Sequence, residues 1–125
     1  NVADNLKCKK AIPLKVSGAF HSAFMNEASK NFAMELDQVT FQDAQVPVLS
    51  NVDPTPTLNG EILKNRLKEQ MTTGVRWRET MNTMRKEGIT NMVEIGPGNV
   101  LSGLAKRSMK GILTSQISNS SDLGY

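Results

Sequence analysis

The chain has 125 residues, 38% of them hydrophobic and 22% charged, with a net charge of +3. That length suits one domain able to bury about two thirds of its unfolded surface, and the frequent hydrophobic segments argue against wholesale disorder. One cysteine excludes an intrachain disulfide, one histidine excludes a His-rich metal site within the chain, and no apolar run approaches the ~18 residues of a membrane helix. No secretory leader pattern is present, and the composition points to a reducing, cytoplasm-like compartment.

Residues 1–10 are polar, with Lys7, Lys9 and Lys10 around Cys8, and read as a linker or the end of a helix. Ala11 to Ser17 alternates apolar with small or polar residues, which predicts a short extended segment, and Pro13 places it at an edge. Gly18 breaks it. Ser22 is the expected N-cap of a helix running to about Asp37, because Met25, Ala28, Phe32, Leu36 and Val39 recur at spacings of 3, 4, 4 and 3. Val46 to Val52 reads as a strand entered through Pro47, followed by a loop in which Pro54 and Pro56 exclude helix.

Leu63, Leu67 and Met71 place a second helix over Glu61 to Met71, and Trp77, Met81 and Met84 a third that Gly88 terminates. Ile89 to Ile95 is an expected strand, closed by Gly96-Pro97-Gly98. Asn99 is the expected cap of a helix from Val100 to about Met109, with Lys106, Arg107 and Lys110 at its negative C-terminal end. Gly111 to Ser115 reads as a last strand, and residues 116–125 as a polar tail. Strands alternating with helices predict an α/β fold with a parallel or mixed sheet. The seven methionines read as flexible core filling.

His21 alone has a side chain suited to proton transfer near neutrality. It sits between a strand-like segment and a helix start, a junction that often opens onto the binding cleft of α/β proteins. The positive end of a helix disfavours the imidazolium, and a neutral imidazole can act as a general base. On spacing alone, a lone histidine is more often a structural group than a catalytic one. A histidine base needs a nucleophile, yet no Gly-x-Ser-x-Gly elbow is present. Gly96-Pro97-Gly98-Asn99 is either a tight turn or an anion-binding helix entry. Asp37, Asp43, Asp53, Glu61, Glu69 and Glu94 form no recognisable pair or metal spacing. No aromatic residues interleave with a basic run, so the stacking platform of a single-strand nucleic-acid binder is missing.

Four stretches together resemble one family. Pro13-Leu14-Lys15-Val16-Ser17-Gly18-Ala19-Phe20-His21-Ser22-Ala23-Phe24-Met25 is similar to the segment around the catalytic histidine of malonyl-CoA:acyl carrier protein transacylases. Pro47-Val48-Leu49-Ser50-Asn51-Val52-Asp53 is similar to a following strand and loop, and Gln70 with Val75-Arg76-Trp77 to the family's Gln and Val-x-Trp. Val93-Glu94-Ile95-Gly96-Pro97-Gly98-Asn99-Val100-Leu101-Ser102-Gly103-Leu104 resembles its late strand, turn and helix. Order and spacing agree over about residues 8–115.

The resemblance implies ping-pong acyl transfer from malonyl-CoA, as substrate, to the phosphopantetheine thiol of acyl carrier protein, in fatty-acid synthesis. No cofactor is implied to be tightly bound. His21 would be the general base, Gln70 would orient it largely through its backbone carbonyl, and Asn51 would lend support nearby. The family's serine elbow, its malonyl-binding arginine and its oxyanion region all precede the matched part. The implied fold is therefore the C-terminal part of a hydrolase-like large subdomain over residues 11–115. Residues 1–10 would close the small ferredoxin-like subdomain or form a linker.

Asn1 in place of an initiator Met fits a fragment, which alone should be inactive and should self-associate through exposed edges. The missing serine-bearing part of the same enzyme would be a partner. Lys106, Arg107 and Lys110 are candidate docking charges for the acidic carrier protein. The competing readings are a non-catalytic module holding acyl carrier protein through its basic surface, and a transacylase piece of a polyketide synthase. No membrane and no nucleic-acid partner is implied, and the compartment would be bacterial cytoplasm or plastid stroma.

Overall fold

A computed structural model describes residues 18–124. The extended segment expected over 11–17, and Cys8, lie outside the described residues. A single 3₁₀ turn, Ala23–Met25, leads into α1 (Asn26–Asp37). The expected cap is not made: the Ser22 hydroxyl donates back to the Ala19 carbonyl at 2.6 Å, so it never meets the helix amides. Leu36 of the predicted stripe is buried, whereas Val39 lies beyond the helix end and is half exposed.

α2 (Gly60–Glu69) is fixed at both ends and along its side. The Asn59 side chain caps it, accepting from the Ile62 amide at 2.9 Å. Gly60 packs against the chain that precedes it, its amide donating to the Asp43 carboxylate at 2.8 Å. A Cβ at Gly60 would stand 2.7 Å from the carbonyl oxygens of both Phe41 and Gln42, so only glycine fits. Lys64 is buried without an acid on its ammonium. It donates instead to the carbonyls of Val39 (2.9 Å) and Asp37 (3.4 Å), capping the C-terminus of α1, where the helix dipole favours a cation. Lys68 pairs with Asp37, and its hydrogen bond, then its charge, lowers the pKa of that carboxyl.

The strand expected over Val46–Val52 shrinks to one antiparallel bridge, Val48 to Thr57. Prolines explain it: Pro47, Pro54 and Pro56 have no N–H, so neither arm can extend the ladder. Asp53 holds the loop instead. Its carboxylate accepts from the Thr55 amide at 3.0 Å and pairs with Arg66 of α2. The hydrogen bonds from Thr55, then the Arg66 charge, keep that carboxyl below its ordinary range.

The second half is a β-α-β unit. α3 (Trp77–Lys86) ends two residues before Gly88, whose φ of 74° is the left-handed value a helix stop requires. β1 (Asn91–Ile95) and β2 (Leu113–Ile117) pair in parallel, with Asn91 opposite Leu113 and Ile95 opposite Ile117. α4 (Val100–Ser108) crosses between them. Met81, Ala105, Met109 and Ile112 form a buried cluster, with Trp77, Met84 and Met92 packed against it. These four methionines take the filling role expected of them, whereas Met34 is 58% exposed. Within the segment read as a polar tail, Gln116 and Ile117 complete β2. A 3₁₀ turn, Ser120–Leu123, follows, closed by a capping box between Asn119 and Asp122.

Asn99 does not cap α4 with its side chain. Glu94, set among the unpatterned carboxylates on sequence grounds, does so from β1: it accepts from the Leu101 amide at 3.1 Å and the Ser102 amide at 2.8 Å. Its hydrogen bonds with Ser102, then with the Leu101 amide, lower its pKa. On the other face of the sheet, Val93, Ile95 and Leu113 are 51%, 80% and 68% exposed. Parallel strands are normally covered on both faces.

Two outcomes follow from these packings. Gly60→Ala should lower stability by about 1–3 kcal/mol, since the obstructing atoms are backbone and cannot rotate away. Gly74→Ala, which meets nothing within 4 Å, should leave the melting temperature unchanged or slightly raised; equal effects at the two positions would refute the close-packing account. A depressed native pKa at Glu94 gives stability that is full above the ordinary glutamate value of about 4.3 and is lost as pH falls through the lower native value. The melting-temperature gap between wild type and Glu94→Gln should therefore narrow on acidification from pH 7 to pH 3.

Candidate active site

His21 is held by three hydrogen bonds, all to the turn that ends α2. Its backbone amide donates to the Met71 carbonyl at 2.8 Å. Its ring Nδ1 faces two carbonyl oxygens, that of Gln70 at 2.9 Å and that of Thr73 at 3.1 Å. Both neighbours can only accept. Nδ1 must therefore carry the hydrogen, shared in a three-centre bond, and in the neutral ring the lone pair belongs to Nε2.

The backbone at His21 has φ 65°, the one left-handed non-glycine conformation among the described residues. Such a conformation costs on the order of 1–3 kcal/mol and persists only where surrounding contacts impose it. Here the three bonds impose it, and they hold an exposed imidazole whose Nε2 makes no hydrogen bond among the described residues.

A cavity of about 410 Å³ lies beside the ring, lined by Phe20, His21, Phe32, Leu67, Gln70 and Met71. A second, of about 350 Å³, shares Leu67 and Gln70 with it and reaches Asn51 and Ser50. The structure thus joins His21 directly to the backbone of Gln70 and sets Asn51 in the adjoining cavity. Asn51 makes no hydrogen bond to the ring; its carbonyl instead accepts the Arg76 amide at 2.9 Å. Arg76 also donates to the Val52 carbonyl at 3.3 Å and pairs with Glu79, whose hydrogen bond and charge raise its pKa. These bonds tie the loop of residues 51–52 to the start of α3.

Lys106 and Arg107 occupy the last turn of α4, and Lys110 follows it. All three are exposed, and none makes an ion pair among the described residues. No group of three or more His, Cys, Asp or Glu side chains that could hold a metal is present among the described residues, and no helix there is long and apolar enough to cross a membrane. Of the three groups that grip His21, Thr73 was not singled out from the sequence, and Met71 was named only as part of the apolar stripe of a helix that in fact ends at Glu69. Backbone acceptors carry no residue-type signature, and only the Thr-Thr-Gly following the helix marks the place.

Among the described residues, no serine hydroxyl is hydrogen-bonded to the His21 ring. Ser22 adjoins His21 in sequence, but its hydroxyl is turned to Ala19. Ser102 is buried within α4.

Known proteins resemble the chain over most of its length. No family model matches the chain. The malonyl CoA-acyl carrier protein transacylase of Synechocystis sp. is 53% identical over 119 residues, 95% of this chain and 41% of that protein. The enzyme of the same name from Escherichia coli K12 is 36% identical over 90% of this chain and 37% of its own length. Among solved structures, the Synechocystis malonyl-CoA:ACP transacylase superposes with a TM-score of 0.85 at 52% identity, over 94% of this chain and 40% of that one. A malonyl-transacylase in complex with a type II polyketide acyl-carrier protein gives 0.84 at 33% identity, covering 96% and 39%. The chain spans about two fifths of the length of these relatives. In sequence and in fold it is related to the malonyl CoA-acyl carrier protein transacylases, and its 125 residues correspond to a segment of them.

Proposed function

We propose that the chain supplies the general-base part of an acyltransferase that moves malonyl from CoA to the phosphopantetheine thiol of acyl carrier protein. One observation carries this reading: the only histidine is pinned through Nδ1 by backbone carbonyls and keeps Nε2 available. That is the arrangement a base needs when a third group orients it.

On this reading the nucleophilic serine comes from a part of the enzyme outside these residues. His21 Nε2 takes the serine Oγ proton as the oxygen attacks the malonyl thioester. The C–S bond breaks, the proton passes to the departing CoA sulfur, and malonyl remains as a serine ester. The phosphopantetheine thiol then attacks that ester, losing its proton to Nε2. The C–O bond breaks, and the same proton restores the serine. No tightly bound cofactor is needed, and each proton that His21 accepts it returns.

Gln70 acts through its carbonyl as the orienting group, and Asn51 borders the adjoining cavity as a supporting residue. Lys106, Arg107 and Lys110 serve as docking charges for an acidic carrier protein, which the complex seen for the related polyketide transacylase makes reasonable. The apolar face of Val93, Ile95 and Leu113 is where the remainder of such an enzyme would pack, or, failing that, a second copy of the chain. Malonyl-CoA and acyl carrier protein place the reaction in bacterial cytoplasm or plastid stroma.

The test is malonyl transfer from malonyl-CoA to acyl carrier protein, with the chain alone and with a serine-bearing segment from a relative added. The expected result is no turnover alone and turnover on complementation, lost by several powers of ten in His21→Ala. Turnover by the chain alone would overturn the assignment, and binding without turnover in a folded mixture would favour the non-catalytic module. In the complemented enzyme, Lys106→Glu with Arg107→Glu should raise KM for acyl carrier protein several-fold at low salt, with little change in kcat. The effect should shrink as ionic strength rises. An unchanged KM would remove the docking role.

A further inference from the structure

We propose that Thr73, seconded by Thr72, is a positioning residue that sets the tautomer of His21 by shaping the turn that holds it. Four donors converge on one oxygen, the Glu69 carbonyl at the end of α2. They are the Thr72 and Thr73 amides, both at 3.2 Å, the Thr72 hydroxyl at 3.3 Å and the Thr73 hydroxyl at 2.9 Å. A carbonyl oxygen offers two lone pairs, so this gathering curls residues 69–73 tightly about a single acceptor.

The consequence falls on the carbonyls that follow. A helix end leaves its last acceptors without intrahelical donors. Those of Gln70, Met71 and Thr73 are answered by His21, two by the ring and one by the amide. The Gln70 carbonyl faces Nδ1 from the first residue after the helix. The Thr73 carbonyl reaches the same nitrogen only because the chain doubles back, and the Thr73 hydroxyl is the shortest of the four bonds that make it do so. Thr73 does not touch reacting atoms in this scheme; it acts through the ring. Its relevance to catalysis rests on the base role proposed for His21, while the tautomer itself does not.

The single histidine makes the test direct, since every imidazole signal of the chain belongs to His21. Two-bond proton–nitrogen NMR of the ring, above its titration range, distinguishes an Nδ1–H from an Nε2–H imidazole. Wild type is expected to show the Nδ1–H form alone. Thr73→Val, which keeps the β-branched shape and deletes the hydroxyl, is expected to show a mixture of the two tautomers, and Thr73→Ser to restore the single form. A wild-type ring in the Nε2–H form or in a mixture overturns the proposal whether or not any variant folds. So does a Thr73→Val ring unchanged from wild type, or a Thr73→Ser ring that stays mixed. None of these readings depends on turnover, so a failure here is separate from a failure of the acyl-transfer assignment.

Discussion

The placement of α2 governs the rest of the first half of the molecule. Its start is seated where only glycine can pass, at Gly60 against the Phe41 and Gln42 carbonyls. Along its length Lys64 closes the end of α1 and Arg66 grips the Asp53 loop. Its end provides the carbonyls that hold His21. These are fixed points on one rigid rod, so the loop that carries the histidine inherits its position from contacts made a full helix away. The left-handed backbone at His21 is tolerable for the same reason: a short loop could not impose that conformation unaided, but a loop bonded three times to an anchored helix end can.

The helices were legible because apolar spacing is a property of the residues themselves. Met25 to Leu36, Leu63 with Leu67, and Trp77 with Met81 and Met84 each describe one face of a cylinder. The strand over Val46–Val52 was misread because its apolar content was right while its prolines, and those of the returning arm, removed the donors on which pairing depends. The cap of α4 was misassigned for a different reason. Asn99 is adjacent in sequence to the orphan amides, but Glu94 is adjacent in space, reaching them from the neighbouring strand. Local sequence shows caps drawn from the same stretch of chain and hides those delivered by another element.

The site was legible to a similar extent. His21 and Gln70 could be named because a resemblance tied them together, and the structure brings them within hydrogen-bond distance. The two further bonds to His21 come from the backbone of Met71 and Thr73, and a carbonyl looks alike in every residue. The half of the chain around β1 and β2 shows the converse. Its α/β pattern was plain, yet only the structure reveals that one face of the parallel pair stands open, with Ile95 80% exposed. The relatives are about two and a half times as long as this chain, and parallel strands are normally covered on both faces.

The partner of the imidazole is a pair of peptide dipoles, not a carboxylate. Dipoles orient a ring through weaker hydrogen bonds than an acid makes, but they bring no formal charge to the neighbourhood. An acid in that position would repel any second anion brought up to the ring. A histidine steered by neutral groups can instead stand beside an anionic guest without that repulsion. The uncharged grip on His21 thus adds no fixed negative charge to the cavity beside it.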